Sequence, residues 1–259
     1  MERLLWVEKL NIAYGQETVV RDVSFSLEEG KILCLAGESG SGKSTVLKAL
    51  TGIDPSVQAE GGIFWRGENM IGRPYRERRR LCGRSIAVIT QDPGSSFHPV
   101  RPYGAQLKEM LKSLEMYDRE AFRRDVREIF CKLGLEDWER ILKSCPYEMS
   151  GGMNQRIAIG AVMLLRPQLL LADEPTSALD VTVQKQTAIE LLRLREAYGI
   201  SQIIVTHNLG LAAFMADQIG IMQKGRLIEY GAAREILSRP KQEYTRQLLK
   251  AVPRLPEEG

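Results

Sequence analysis

Eight consecutive residues, Gly37-Glu38-Ser39-Gly40-Ser41-Gly42-Lys43-Ser44, have the types and spacing that hold a phosphate. They fit the pattern GxxxxGK[ST], and they lie between a short apolar run (31–36) and a helix expected from about Lys43. Glycines let the backbone wrap closely around an anion, and successive N–H groups form a concavity for it. The N-terminus of the following helix adds its partial positive charge. In that setting Lys43 is placed to reach the β- and γ-phosphates of a nucleotide and the Ser44 hydroxyl to hold Mg²⁺, with Thr45 counted among the nucleotide-binding residues. A flexible glycine/serine turn would explain the glycines but not a Lys-Ser pair at this position.

The second chemical feature is Leu169-Leu170-Leu171-Ala172-Asp173-Glu174, an apolar strand ending in two adjacent carboxylates. Desolvating two acids at a strand exit is costly unless they are used. Asp173 fits a ligand in the hydration shell of Mg²⁺, and Glu174 a general base that polarises the attacking water. An acidic helix cap explains the pair taken alone, but less well with a phosphate loop upstream. The two motifs imply nucleotide binding and point to hydrolysis. They do not choose among phosphate-loop kinases, RecA-like motors and transport ATPases.

The surrounding pattern shows what must position these residues. Residues 4–13 and 19–27 read as strands around the turn Tyr14-Gly15-Gln16, with further strand-like pieces at 63–65 and 85–89. Phe122, Val126, Ile129, Phe130 and Leu133 recur at helical spacing, and 92–155 reads as a helical lobe. Helix 151–165, strand 169–172, helix 181–198 and strand 202–206 then alternate, which argues for a mostly parallel, helix-covered sheet. The expected division is one domain over 1–259: a nucleotide-binding core with a β-subdomain (1–91 and 156–259) and a helical subdomain (92–155). The tail 257–259 reads as frayed.

Composition narrows the class. Hydrophobic residues at 44% and charged residues at 27% are ordinary globular values. A formal charge of +3 does not by itself imply nucleic-acid binding, and the basic run 76–80 reads as a solvated helix face. No apolar run approaches the ~20 residues that span a bilayer, and the first ten residues do not resemble a signal peptide. The four cysteines (Cys34, Cys82, Cys131 and Cys145) show neither a CxxC pair nor metal-ligand spacing, as expected of reduced thiols in a cytoplasmic protein.

The family is indicated by Ser150-Gly151-Gly152-Met153-Asn154-Gln155-Arg156, which resembles the signature motif of ABC (ATP-binding cassette) ATPases. Other positions fall in that family's order. Tyr14 is similar to the aromatic that stacks on adenine. Gln91 is similar to the glutamine that touches Mg²⁺ and relays occupancy to membrane subunits. Ser177-Ala178-Leu179-Asp180 resembles the loop crossing the dimer interface, and His207 the histidine at the γ-phosphate. The resemblance covers nearly the whole chain. It implies a RecA-like phosphate-loop NTPase fold of class α/β, with an N-terminal antiparallel β-subdomain and an inserted helical subdomain. It implies ATP and Mg²⁺ as cofactors, and a head-to-tail dimer in which one subunit's phosphate loop and another's Ser150, Gly151 and Gly152 sandwich each ATP.

Finer features resemble the dipeptide, oligopeptide and nickel importer ATPases: the stretch from Gln91-Asp92-Pro93 to Pro99, Met153 within the signature, and Pro240 followed by Tyr244-Thr245-Arg246 and Ala251-Val252-Pro253. No cysteine follows Cys145, where many peptide-type members carry a cysteine-bearing extension, and this tilts the expectation toward the shorter nickel or metal-chelate type. The implied partners are two transmembrane permeases, a second ATPase (a paralogue preferred over a copy of this chain) and, indirectly, a solute-binding protein. No nucleic acid is expected, and the implied place is the cytoplasmic face of a membrane. Two other readings compete: a non-transport ABC ATPase such as the accessory subunit of a phosphonate-cleaving complex, and a nucleotide-binding regulator without turnover.

Overall fold

The N-terminal strands β1 (Arg3–Tyr14) and β2 (Glu17–Glu28) form an antiparallel hairpin in a computed structural model that describes residues 3–91, 96–175 and 181–251. After β2 come β3 (Ile32–Ala36), α1 (Lys43–Thr51), β4 (Gln58–Trp65), β5 (Glu68–Asn69), α2 (Tyr75–Leu81) and β6 (Ile86–Ile89). A helical stretch follows with α3 (Tyr103–Ser113), α4 (Arg119–Lys132), α5 (Trp138–Lys143), a 3-10 turn (Pro146–Glu148) and α6 (Gly151–Met163). The chain then returns to alternation: β7 (Leu169–Asp173), α7 (Val181–Tyr198), β8 (Ser201–Thr206), α8 (Leu209–Met215) and β9 (Gln218–Gln223). It finishes with β10 (Arg226–Ala232), α9 (Ala233–Ser238) and α10 (Glu243–Ala251).

Two sheets result. The first is antiparallel in the order β2-β1-β4-β5; the second has the order β10-β9-β3-β8-β7-β6. In the second, β9, β3, β8, β7 and β6 run parallel and only β10 is antiparallel. This is the α/β class expected, with the antiparallel β-subdomain at the N-terminal end of the chain.

Strand β3 shows why the two sheets belong together. Its side chains alternate, so Ile32, Cys34 and Ala36 enter one core while Leu33 and Leu35 enter the other. The first core continues through Ala172, Ile204 and the helices, down to Phe130 and Ile157 of the helical stretch. The second lies between this sheet and the antiparallel one, filled by Leu10, Ile12, Val20 and the inner face of α1 (Val46, Leu47, Leu50). A strand buried on both faces reads as a near-continuous apolar run, as β3 and β7 up to Ala172 do, while β8 also buries Ser201, Gln202 and Thr206, each hydrogen-bonded to backbone.

In the helical stretch, α4 carries Phe122, Val126, Ile129 and Phe130 on its buried face. Its N-cap Asp118 accepts from the backbone N–H of Glu120 and Ala121, at 3.0 and 2.8 Å. Helix α2, which holds the basic run, buries no residue at all.

The elements after residue 206 were not read from the sequence. Helix α8 and strands β9 and β10 complete the core, and Asp217 ties them down by accepting from the Ile32 N–H at 2.9 Å and pairing with Lys31 and Arg195.

Candidate functional site

In a parallel sheet every strand ends on the same side, and here register aligns four ends. Ala36 stands opposite Thr206, Asp173 opposite Val205, and Ile89 opposite Ala172. The segments leaving β3, β6, β7 and β8 therefore emerge together, bringing with them the phosphate loop, Gln91, Glu174 and His207. Ligands of open α/β sheets bind at this carboxyl edge.

The loop from Gly37 to Gly42 and the turn that packs on it each have a glycine where a side chain would not fit. A Cβ on Gly37, whose φ is +152°, would lie 2.2 Å from the Met222 carbonyl oxygen. Gly225, in the turn between β9 and β10, donates its N–H to the Ser41 carbonyl at 3.1 Å, and a Cβ there would lie 2.0 Å from the Val19 carbonyl oxygen. Lys43 is buried, and its ammonium donates to the carbonyls of Gly37 (2.8 Å) and Glu38 (2.7 Å) and to the Ser41 hydroxyl (3.3 Å). Burial lowers the proton affinity of this amine, opposed by the nearby charges of Glu174, Asp173 and Glu38.

Ser44 donates from Oγ to Asp173 Oδ1 at 2.8 Å, across 129 residues of sequence. Burial pushes the Asp173 carboxyl up, the Ser44 hydrogen bond opposes this, and the Glu174 charge raises it further. A hydroxyl and a carboxylate oxygen side by side suit a hard dication that takes its other oxygens from phosphate and water. Among the described residues no group of three or more His, Cys, Asp or Glu converges to form a metal cage; Ser44 and Gln91 line the cleft, and Asp173 is bonded to Ser44.

Glu174 leaves β7 in the left-handed region, with φ +45°, and its N–H donates to the Val205 carbonyl at 2.9 Å. A non-glycine residue held in this way stores strain of about 1–3 kcal/mol and needs surroundings that enforce it. Here β8 enforces it, and the turn aims the carboxylate at His207, whose Nδ1 lies 3.0 Å from Glu174 Oε2.

A cleft of about 280 Å³ is lined by Val19, Ser39, Gly40, Gly42, Lys43, Ser44, Thr45, Gln91 and Glu174, with Asp173 and His207 not among its lining but bonded to Ser44 and Glu174. A larger cleft of about 910 Å³ opens on the helical stretch, but none of these residues line it. The chemistry, not the size, marks the site.

The structure does not bring every candidate into this cleft. Tyr14 ends β1 at the turn of the first hairpin, and Val19, five residues on, is what that hairpin contributes to the cleft wall. Ser150, Gly151 and Gly152 begin α6 outside the cleft, with Ser150 Oγ capping the helix by accepting from Met153 N at 3.3 Å. Asp180 and the rest of its loop lie outside the described residues. Sequence reading missed Val19, and it placed Gln155 in the signature motif without its contact: the Gln155 amide donates to the carbonyl of Pro175, next to Glu174, and so joins α6 to the turn after β7.

A phosphate loop at the end of β3, with an Asp-Glu pair at the end of β7, defines a phosphate-loop NTPase. A sequence model of the family described as ABC transporter matches residues 20–177. The oligopeptide transport ATP-binding protein OppD of Salmonella typhimurium is 40% identical over 99% of this chain and 78% of its own length. The dipeptide transport ATP-binding protein DppD of Bacillus subtilis is 35% identical over 98% of this chain and 78% of its own. A solved structure titled as the ATP-binding subunit of an ABC transporter superposes with a TM-score of 0.73 at 27% identity, covering 90% of this chain and 91% of its own. The chain belongs to the ABC transporter family and is its ATP-binding subunit. It binds ATP, and its hydrolysis of ATP is linked to transport. No helix among the described residues is long and apolar enough to cross a membrane.

Proposed function

We propose that this chain is the motor of an importer for di- or oligopeptides, working from the cytoplasmic face of a membrane through two permease subunits. The observation that carries the chemistry is the meeting of Lys43, Ser44, Asp173, Glu174 and His207 at one sheet edge. The names of the relatives support peptides as the cargo and move the reading away from nickel chelates.

In this reading the loop amides, the α1 N-terminus and Lys43 bind the β- and γ-phosphates. Ser44, Asp173 and Gln91 would hold Mg²⁺, which supplies charge neutralisation at the phosphates. Glu174 accepts a proton from the attacking water as its oxygen bonds to the γ-phosphorus and the bond to the bridging oxygen breaks. His207 holds the Glu174 carboxylate in place and faces the γ-phosphate. Tyr14 lies against the adenine. Ser150, Gly151 and Gly152, with Asp180, act on the ATP of a second subunit, so the working unit is a pair of ATPases, with a paralogue preferred as the second.

The test is to recover the tagged chain from gently solubilised membranes of its source and identify what comes with it. Two permeases and a second ATPase are expected, with a companion binding protein that takes up peptides. Recovery with soluble enzymes and no permease would overturn the transport reading.

A further inference from the structure

The stretch Pro240 to Arg246 has no part in the chemistry described above, yet it reaches the phosphate loop. Tyr244 is packed against the first core, and its hydroxyl accepts from the backbone N–H of Glu38 at 3.1 Å, across 206 residues of sequence. The adjacent residue, Thr245, is fully buried and donates to Glu229 Oε2 at 2.6 Å. Glu229, buried on β10, also accepts from the N–H groups of Lys241 (2.7 Å) and Gln242 (3.2 Å). Its carboxylate thus takes three donors from the start of α10, where a negative charge is favourable. Arg246 closes the turn by donating to the Lys241 carbonyl at 2.7 Å. Tyr244 is therefore held from below by a buried carboxylate and from the side by the core. Its hydroxyl is a fixed point against which the loop rests.

Glu38 is held from both sides. Tyr244 takes its N–H, and Lys43 donates to its carbonyl at 2.7 Å. A phosphate arriving in the loop competes for the donors of Lys43. Any donor it wins weakens the inner hold and leaves the outer one.

Resting on the phosphate-loop reading above, we infer that Tyr244 is a positioning residue for ATP: its hydroxyl keeps the loop's first turn in the shape that receives the phosphates. Through it, the C-terminal helix α10 is mechanically part of the nucleotide site. A brace of this kind sets affinity and leaves the hydrolytic step alone.

The experiment compares the full chain with Y244F and K43A by calorimetric titration with MgATP, alongside unfolding curves and the turnover of the assembled transporter. Losing one net hydrogen bond should raise the Kd and KM of Y244F about three- to ten-fold, with kcat within about two-fold of wild type. Its unfolding midpoint should fall by no more than the few degrees that one lost hydrogen bond accounts for. Wild-type affinity in Y244F would overturn the inference. So would a weaker affinity matched by a fall in kcat and by a midpoint lowered well beyond one hydrogen bond, which is the mark of a merely structural tyrosine. If K43A binds ATP as well as wild type, the phosphate-loop reading itself fails. If K43A loses binding and Y244F does not, only the brace is lost. Should Y244F not fold, exchange of the Glu38 amide in the wild-type chain decides: protection supports the brace, and exchange at the rate of a free amide removes it.

Discussion

Two regions carry the residues read as functional, and they are built differently. At the carboxyl edge of the parallel sheet, side chains from different strand ends already touch: Ser44 with Asp173 across 129 residues, and Glu174 with His207 across 33. At the start of α6, Ser150 touches only its own helix, Ser150 and Gly151 are exposed, and none of the motif lines the cleft. The first region is assembled by folding one chain. The second has the same anion-binding ingredients, a hydroxyl and bare N–H groups at a helix start, but among the described residues none of them lines the cleft over the phosphate loop. That contrast is what a composite site predicts, with binding supplied by one subunit and completion by another.

The sharpest way to break the contrast is at the base. Glu174→Gln keeps the shape of the turn and removes the proton acceptor, so turnover should fall about 10²–10⁴-fold while ATP affinity is retained. Single-turnover hydrolysis by the assembled transporter is the measurement, and near-normal rates would remove Glu174 from that role.

Ser150→Arg tests the other region. It should leave ATP binding by the isolated chain at the wild-type level and lower turnover of the assembled transporter roughly 10²–10³-fold, the cost of removing a preorganised donor. Loss of the Ser150 cap should cost only about 1 kcal/mol of stability. If this variant hydrolyses ATP normally, the two regions do not act on the same phosphate and the comparison collapses. Lys43→Ala is the mirror image: ATP affinity of the isolated chain should drop about 10–100-fold, the range for one or two hydrogen bonds to a charged group.

The same division explains what was legible in the sequence. The phosphate loop was legible because its chemistry is local: eight residues, one strand before and one helix after. Asp173-Glu174 was legible because two acids at the end of an apolar strand conflict with burial. The C-terminal part of the sheet was not legible, because β9 is placed by β3, some 180 residues earlier. One signal was available there. Lys224 and Gly225 both have positive φ (47° and 76°) and join β9 to β10 as a two-residue hairpin turn, the kind that X-Gly between apolar runs announces. No comparable signal announces Tyr244 at Glu38 or Gln155 at Pro175, since each contact exists only once the whole core has closed.

The smallest effect probes the joint between the two regions. Cys82 sits where α2 gives way to β6, just before the chain enters the helical stretch, and it is buried with its thiol 3.4 Å from the Thr51 carbonyl. Burial raises its pKa from 9.0 to about 11, with the Arg78 charge opposing. Between those values the unfolded chain gives up the thiol proton and the folded chain keeps it. The stability this thiol contributes is therefore complete below pH 9 and is lost as pH rises toward 11, at up to about 1.4 kcal/mol per pH unit. Other groups titrate in the same range, so the difference between wild type and Cys82→Ala isolates this one. Urea unfolding from pH 8 to 11 should show the two stability curves parallel below pH 9 and converging above it. Curves parallel throughout would mean that the thiol is hydrated in the folded chain, and that the joint between the cleft and the signature helix is looser than the packing around Cys82 indicates.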